Sequence, residues 1–128
     1  GCIPYKMPLI ESEGFLPDIN NIDENVANNA KLLIVNYPNN PTGATADIDF
    51  FKKLCDFGKQ KDMVIINDGA YINLLEPGNK PVSLLQAKGA KENCLEFGTL
   101  SKAYNMTGWR IGFVAGNKEA IEKLMIIK

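Results

Sequence analysis

The sequence predicts an α/β fold built on a mostly parallel sheet. Two continuous apolar runs carry that expectation, Lys31-Leu32-Leu33-Ile34-Val35-Asn36 and Met63-Val64-Ile65-Ile66-Asn67. An unbroken apolar run bounded by turn residues marks a buried strand of the kind found in parallel sheets. Between the runs, residues 47–60 place Ile48, Phe51, Leu54, Cys55 and Gly58 on one helical face, with Thr45 or Asp47 available as the N-cap. Strand, helix and strand in this order form a right-handed crossover within one sheet.

The remaining elements follow from similar patterns. Residues 2–10 mix apolar residues with two prolines and read as a short strand with loops. Residues 11–31 are polar and rich in asparagine, with a short helix around Glu24–Asn29. Asn93–Thr99 reads as a third strand and Arg110–Ala115 as a fourth, ending at Gly116. Asn117 can cap a last helix with Ile121, Leu124 and Met125 facing inward. Met7, Met63, Met106 and Met125 read as core or gap-filling residues. With no internal repeat, low-complexity tract or linker, residues 1–128 are expected to form a single domain.

Composition narrows the function. A chain of 128 residues that is 45% hydrophobic can bury a real core. The net charge of -1 and pI near 5.4, with no basic stripe, argue against a nucleic-acid partner. Cys2, Cys55 and Cys94 follow no metal or disulfide spacing, and there is no histidine. A zinc centre or a Ser-His-Asp triad is therefore excluded within this chain, and no metal site is expected. No run reaches the length of a membrane span and no signal peptide is visible, so a cytoplasmic setting is expected. The chain opens at Gly1 without methionine and stops at Ile126-Ile127-Lys128 inside an uncapped helix. It thus reads as the middle piece of a larger domain.

In a parallel sheet, ligands gather at the carboxyl ends of the strands. Asn40 follows the first strand, Asp68 the second and Lys102 the third, so the pattern carries all three to one edge. Lys102 lies in Thr99-Leu100-Ser101-Lys102, and Arg110 is the only arginine among fourteen cationic residues. An amine can condense with an aldehyde, while hydroxyls and a planar guanidinium can grip phosphate oxygens. Each residue alone has a plainer explanation. A lone lysine is a surface charge, a strand-end aspartate caps or is solvated, hydroxyls cap turns, and Pro with Gly marks a loop. Their combination at one edge is what favours chemistry.

Asn36-Tyr37-Pro38-Asn39-Asn40-Pro41-Thr42-Gly43, then Asp68-Gly69-Ala70-Tyr71, then Ser101-Lys102 with Gly108-Trp109-Arg110-Ile111-Gly112 together resemble the fold-type I, class I/II aminotransferases, which depend on pyridoxal 5'-phosphate. Tyr5-Lys6-Met7-Pro8-Leu9, Gly14–Asp18 and Tyr104–Gly112 are similar to the LL-diaminopimelate aminotransferase branch and its neighbours. The resemblance implies a three-layer α/β/α large domain, incomplete in this chain, with a phosphate turn upstream and a small domain downstream. It implies that Lys102 binds the cofactor's aldehyde and then acts as general base, with Asp68 against the ring nitrogen. Tyr71 and Asn40 would meet the phenolic oxygen, and Thr99, Ser101 and Arg110 the phosphate. Thr99 stands where relatives often have serine. Asn36 and Asn39 are left as loop structure, with Pro41 and Gly43 shaping that loop. Tyr37, Tyr104 and Trp109 read as core or interface aromatics, since the family's stacking residue lies upstream. The resemblance further implies amino-acid and 2-oxo-acid substrates and a homodimer, with this piece inactive in isolation. Other readings stay open: a carbon–sulfur lyase on the same fold, the ligand-sensing half of a transcription regulator, or a folding unit with no binding of its own.

Overall fold

A computed structural model of the chain describes residues 2–127. Its centre is a four-stranded sheet of β1 (Leu32–Val35), β2 (Val64–Asp68), β3 (Cys94–Thr99) and β4 (Gly112–Gly116), in that spatial order. β1, β2 and β3 run parallel, and β4 returns antiparallel to β3. The α/β class and the mostly parallel sheet are as the apolar runs predict. The helices are α1 (Glu24–Asn29), α2 (Ile48–Gln60), α3 (Leu100–Ala103) and α4 (Lys118–Ile127).

The crossover helix α2 starts where Asp47 accepts the Phe50 amide at 2.7 Å, an N-cap that satisfies one orphan donor of the first turn. It buries Phe51, Leu54, Cys55 and Gly58 against Leu33, Val35, Ile65 and Cys94 of the sheet. Ile48, expected on the same face, is 41% exposed. It is the first helical residue, and a helical side chain leans toward the N-terminus, so no preceding turn lies beneath it. Gly58 sits so close to β2 that an added Cβ would lie 2.6 Å from the fully buried Ile65 side chain. The thiols of Cys55 and Cys94 meet at 3.2 Å across this interface. Their mutual hydrogen bond lowers the Cys55 pKa and raises that of Cys94, where burial adds to the rise.

Three expectations are corrected. Residues 2–10 form no strand; Pro4 and Pro8 lack ladder donors, and this segment has no strand partner. β1 is buried on one face only: Leu33 and Val35 face α2, whereas Leu32 and Ile34 are 50% and 61% exposed. No described residue covers that second face over β1, so the strand alternates although its sequence is apolar throughout. In α4, Ile121 and Leu124 are half-buried but Met125 is exposed. The apolar stripe of α4 runs past what the described residues can cover. Met63 belongs to the core, while Met7 is half-buried against it and Met106 is half-buried.

Tyr37 is core, as expected, with its hydroxyl donating to the Phe15 carbonyl at 2.6 Å. Tyr104 and Trp109 are exposed, on the excursion that leaves β3 at Thr99 and re-enters β4 at Gly112, so of the two expected places they do not take the core. Burial pushes the Tyr37 phenol up from 10.0 to about 12. Its stabilising contribution is thus complete below pH 10.0 and is lost as pH rises through about 12. Tyr37→Phe should flatten the fall in stability over that window, measured by urea unfolding at stepped pH. Gly58→Ala should destabilise the fold by about 1–3 kcal/mol through overpacking, despite alanine's higher helix propensity. A rise in the urea midpoint would contradict the close packing of α2 on β2.

Candidate functional site

The site is assembled from three strand ends. After β1, the chain enters the Asn36–Gly43 loop, which is tied by its own asparagines. Asn39 accepts from the Thr42 hydroxyl at 2.7 Å, and the Gly43 amide returns to the Asn39 carbonyl at 2.8 Å. Gly43 has φ of +73°, a left-handed conformation suited to glycine. The Asn36 side-chain oxygen accepts the Asn40 amide at 2.8 Å, which orients Asn40 outward.

At the end of β2, Asp68 is exposed and its carboxylate accepts the Ala70 amide at 3.3 Å. Asp68 is the last strand residue rather than the first loop residue. The Gly69 amide bonds to the Phe97 carbonyl at 2.9 Å, extending the β2–β3 ladder by one position and fixing the turn that carries Tyr71. The Tyr71 hydroxyl then receives the Asn40 side-chain amide at 3.0 Å. Above the Tyr71 ring, 5.5 Å from its centroid, stands the Lys102 ammonium. Three residues distant in sequence are thereby in one contact chain.

Lys102 belongs to α3, a single turn that Thr99 caps by accepting the Ser101 amide at 3.1 Å. Thr99 also donates its proton to the Ile111 carbonyl at 3.1 Å. Its hydroxyl is committed to the turn, so a bond to phosphate would require that proton to be redirected. The Ser101 hydroxyl has no hydrogen-bond partner among the described residues. Among those residues Lys102 has no carboxylate partner either, whereas Lys31, Lys52, Lys59, Lys118 and Lys123 are all ion-paired.

Arg110 is placed differently from the sequence reading. It precedes β4, which starts at Gly112, and it adopts a left-handed φ of +53° at the end of the Thr107–Trp109 turn. Such backbone is uncommon for a non-glycine residue and recurs at ligand clamps. Arg110 Nη1 donates to the Thr107 carbonyl at 3.2 Å, and the Thr107 hydroxyl donates to the Ser101 carbonyl at 3.1 Å. Thr107 therefore fastens the arginine's turn onto the helix that carries Lys102.

All seven predicted site residues thus lie at the carboxyl edge or in its turns. Tyr71 joins Asn40 by a hydrogen bond and Lys102 by a cation–ring contact, while Thr99, Ser101 and Arg110 are linked through α3 and Thr107. Asp68 joins the first group through Asn36, whose amide donates to the Asp68 carbonyl at 2.7 Å. The edge is open: a cavity of about 350 Å³ lined by Tyr37, Pro38, Asp47, Lys80 and Val82 includes none of the seven. The family profile described as "Aminotransferase class I and II" matches residues 1–128.

The chain belongs to the class I and II aminotransferases.

Among curated relatives, this aminotransferase chain is 48% identical over 128 residues to the LL-diaminopimelate aminotransferase of Aquifex aeolicus, covering 100% of the chain and 33% of that protein. It is 51% identical to LL-diaminopimelate aminotransferase 2 of Trichormus variabilis, again over 100% of the chain and 33% of the relative. Apo-BacF from Bacillus subtilis superposes with a TM-score of 0.88 at 45% identity, over 92% of this chain and 30% of BacF. A probable N-succinyldiaminopimelate aminotransferase from Thermus thermophilus gives 0.85 at 39% identity, over 94% and 32%. The chain spans about a third of the length of the curated relatives it matches.

Sequence reasoning did not single out Thr107, and it left Asn36 as loop structure, a place its bonds to the Asp68 carbonyl and the Asn40 amide give it. For Thr107 the only signal was a hydroxyl residue between Lys102 and Arg110. Thr107→Val should free the Ser101 carbonyl and cost roughly 0.5–1.5 kcal/mol. Hydrogen exchange at the Tyr104 amide, which closes α3 on Leu100, should accelerate. Unchanged exchange would mean that the Thr107 bond does not hold α3.

Proposed function

We propose that residues 1–128 form the central part of the cofactor-binding large domain of a pyridoxal 5'-phosphate-dependent aminotransferase. The proposed reaction moves an amino group from an amino acid to a 2-oxo acid. The contact chain Asn40–Tyr71–Lys102 is the observation that carries this reading. The donor set fits the cofactor: an exposed carboxylate, a phenol already paired with an amide, a free hydroxyl, a guanidinium and an ammonium without a carboxylate partner.

Bound pyridoxal 5'-phosphate supplies an aldehyde for the lysine amine and a ring that accepts the electron pair left when the substrate's α-proton departs. Asp68 would hold the proton on the ring nitrogen by a charge-assisted hydrogen bond. Tyr71 would donate its hydroxyl proton to the phenolic oxygen, and Asn40, one of whose amide protons goes to the Tyr71 oxygen, would offer the other to the same phenolic oxygen. Ser101 and Arg110 would bind the phosphate, with Thr99 holding the turn beneath them. Lys102 would hold the aldehyde end and, once freed, move the proton at the substrate's α-carbon. Arg110 is the chain's single arginine, and its use on the phosphate in this reading leaves no second guanidinium among residues 1–128 for the substrate's own carboxylate.

The family resemblance supports a homodimer and a cytoplasmic setting for the complete protein. Among the described residues no helix is long and apolar enough to cross a membrane. The relatives' names favour a diaminopimelate-type amino acid as substrate.

Treating the complete protein with pyridoxal 5'-phosphate and then borohydride should label Lys102 alone among its lysines within this chain, thirteen in all. Peptide mass spectrometry locates the label, and Asp68→Ala or Arg110→Ala should reduce it. Label scattered over surface lysines would overturn the assignment of Lys102.

A further inference from the structure

Two asparagines at neighbouring strand ends, Asn36 and Asn67, each hold the backbone of the residue that follows the other. The last registered pair of the β1–β2 ladder is Val35 with Asn67. Beyond it, side-chain amides take over the pairing that backbone provides lower in the sheet. Asn67 accepts the Tyr37 amide at 3.0 Å and donates to the Tyr37 carbonyl at 3.1 Å. Asn36 reaches the opposite way, donating to the Asp68 carbonyl at 2.7 Å while accepting the Asn40 amide at 2.8 Å. A carboxamide suits both places because it carries a donor and an acceptor in one plane.

Asn67 is fully buried and is the one buried polar or charged residue among the described residues. Its second proton goes to Glu96 Oε2 at 3.1 Å. That oxygen also accepts the Leu84 amide at 2.8 Å, and Glu96 Oε1 accepts the Ser83 hydroxyl at 2.6 Å. A buried network with its partners supplied is rigid, and one broken link leaves a costly unpaired group. The network therefore locks the orientation of Asn67, next to Asp68 in the chain. Asn36 links Asp68 directly to Asn40.

We propose that Asn36 and Asn67, backed by Glu96, form a reciprocal amide clamp that sets the Asp68 carboxylate relative to Asn40. They are positioning residues, and the inference rests on the reading of Asp68 and Asn40 as cofactor-contacting groups. Glu96 acts here through hydrogen-bond acceptance. In Glu96→Gln the amide oxygen can still accept from Asn67 and Leu84, and its NH2 can donate to the Ser83 oxygen. Glu96→Ala leaves the second Asn67 amide proton, the Leu84 amide and the Ser83 hydroxyl proton without an acceptor.

The test uses the complete protein loaded with pyridoxal 5'-phosphate, comparing wild type with Asn36→Ala, Asn67→Ala, Glu96→Ala and Glu96→Gln. The readouts are the pH titration of the bound cofactor's absorbance and its dissociation constant. Asn36→Ala and Glu96→Ala should shift the titration midpoint and weaken binding by up to about tenfold, as losing a hydrogen bond of roughly 1 kcal/mol or more predicts. Glu96→Gln should restore both. Should Asn67→Ala fail to fold, Asn36→Ala at its half-buried position decides. Weaker binding with an unmoved titration would mean a merely structural role and would overturn the clamp. So would equal effects of Glu96→Gln and Glu96→Ala. A wild type that shows no cofactor absorbance overturns the site reading and the clamp with it; normal wild-type absorbance with unshifted variants overturns the clamp alone.

Discussion

Everything at the candidate site depends on how α2 is seated on the sheet. Phe51, Leu54 and Cys55 lose all exposure against it, and Gly58 lets the last turn approach Ile65 without an intervening side chain. Because α2 is the crossover between β1 and β2, its burial forces the two strands to run the same way. Their carboxyl ends then open on one edge, which brings the Asn36–Gly43 loop beside Asp68. The contact between Asn40 and Tyr71, 31 positions apart, follows from that geometry.

The antiparallel return of β4 completes the edge. The β3–β4 register pairs Thr99 with Gly112, so the chain leaves the sheet and re-enters it at the same end. All residues between, including Lys102 and Arg110, are confined to a short excursion above that end. The Ile111 carbonyl, receiving both the Leu100 amide and the Thr99 hydroxyl, closes the base of the excursion. One reversal thus places two site segments together without a further crossover helix.

The face of the sheet opposite α2 is of a different character. Leu32 and Ile34 lie there exposed, and strand alternation puts Asp68 and Thr99 on the same face. Polar groups sit at the carboxyl edge and apolar ones lie deeper along the strands. Lys102 shares its lack of a carboxylate partner with other described lysines such as Lys53 and Lys80, and is set apart by standing 5.5 Å from the centroid of the Tyr71 ring.

The α/β class, the crossover and the succession of strands along the chain were legible in the sequence, because apolar period and turn residues are local signals that survive folding. The α2 face at Phe51, Leu54, Cys55 and Gly58 was legible for the same reason, and Asp47 was one of the two caps, with Thr45, that the sequence offered. The family motifs identified all seven candidate site residues by type and spacing. Local pattern does not encode what covers an element, so Ile34 and Met125 were expected to be buried and are not. Nor does it encode backbone bonded across strands. That Thr99 spends its proton on Ile111, that Thr107 fastens Arg110 to α3, and that Asn36 and Asn67 grip each other's strands are decided by tertiary structure alone. Each of these bonds joins groups whose proximity exists only after β1, β2, β3 and β4 have been laid side by side.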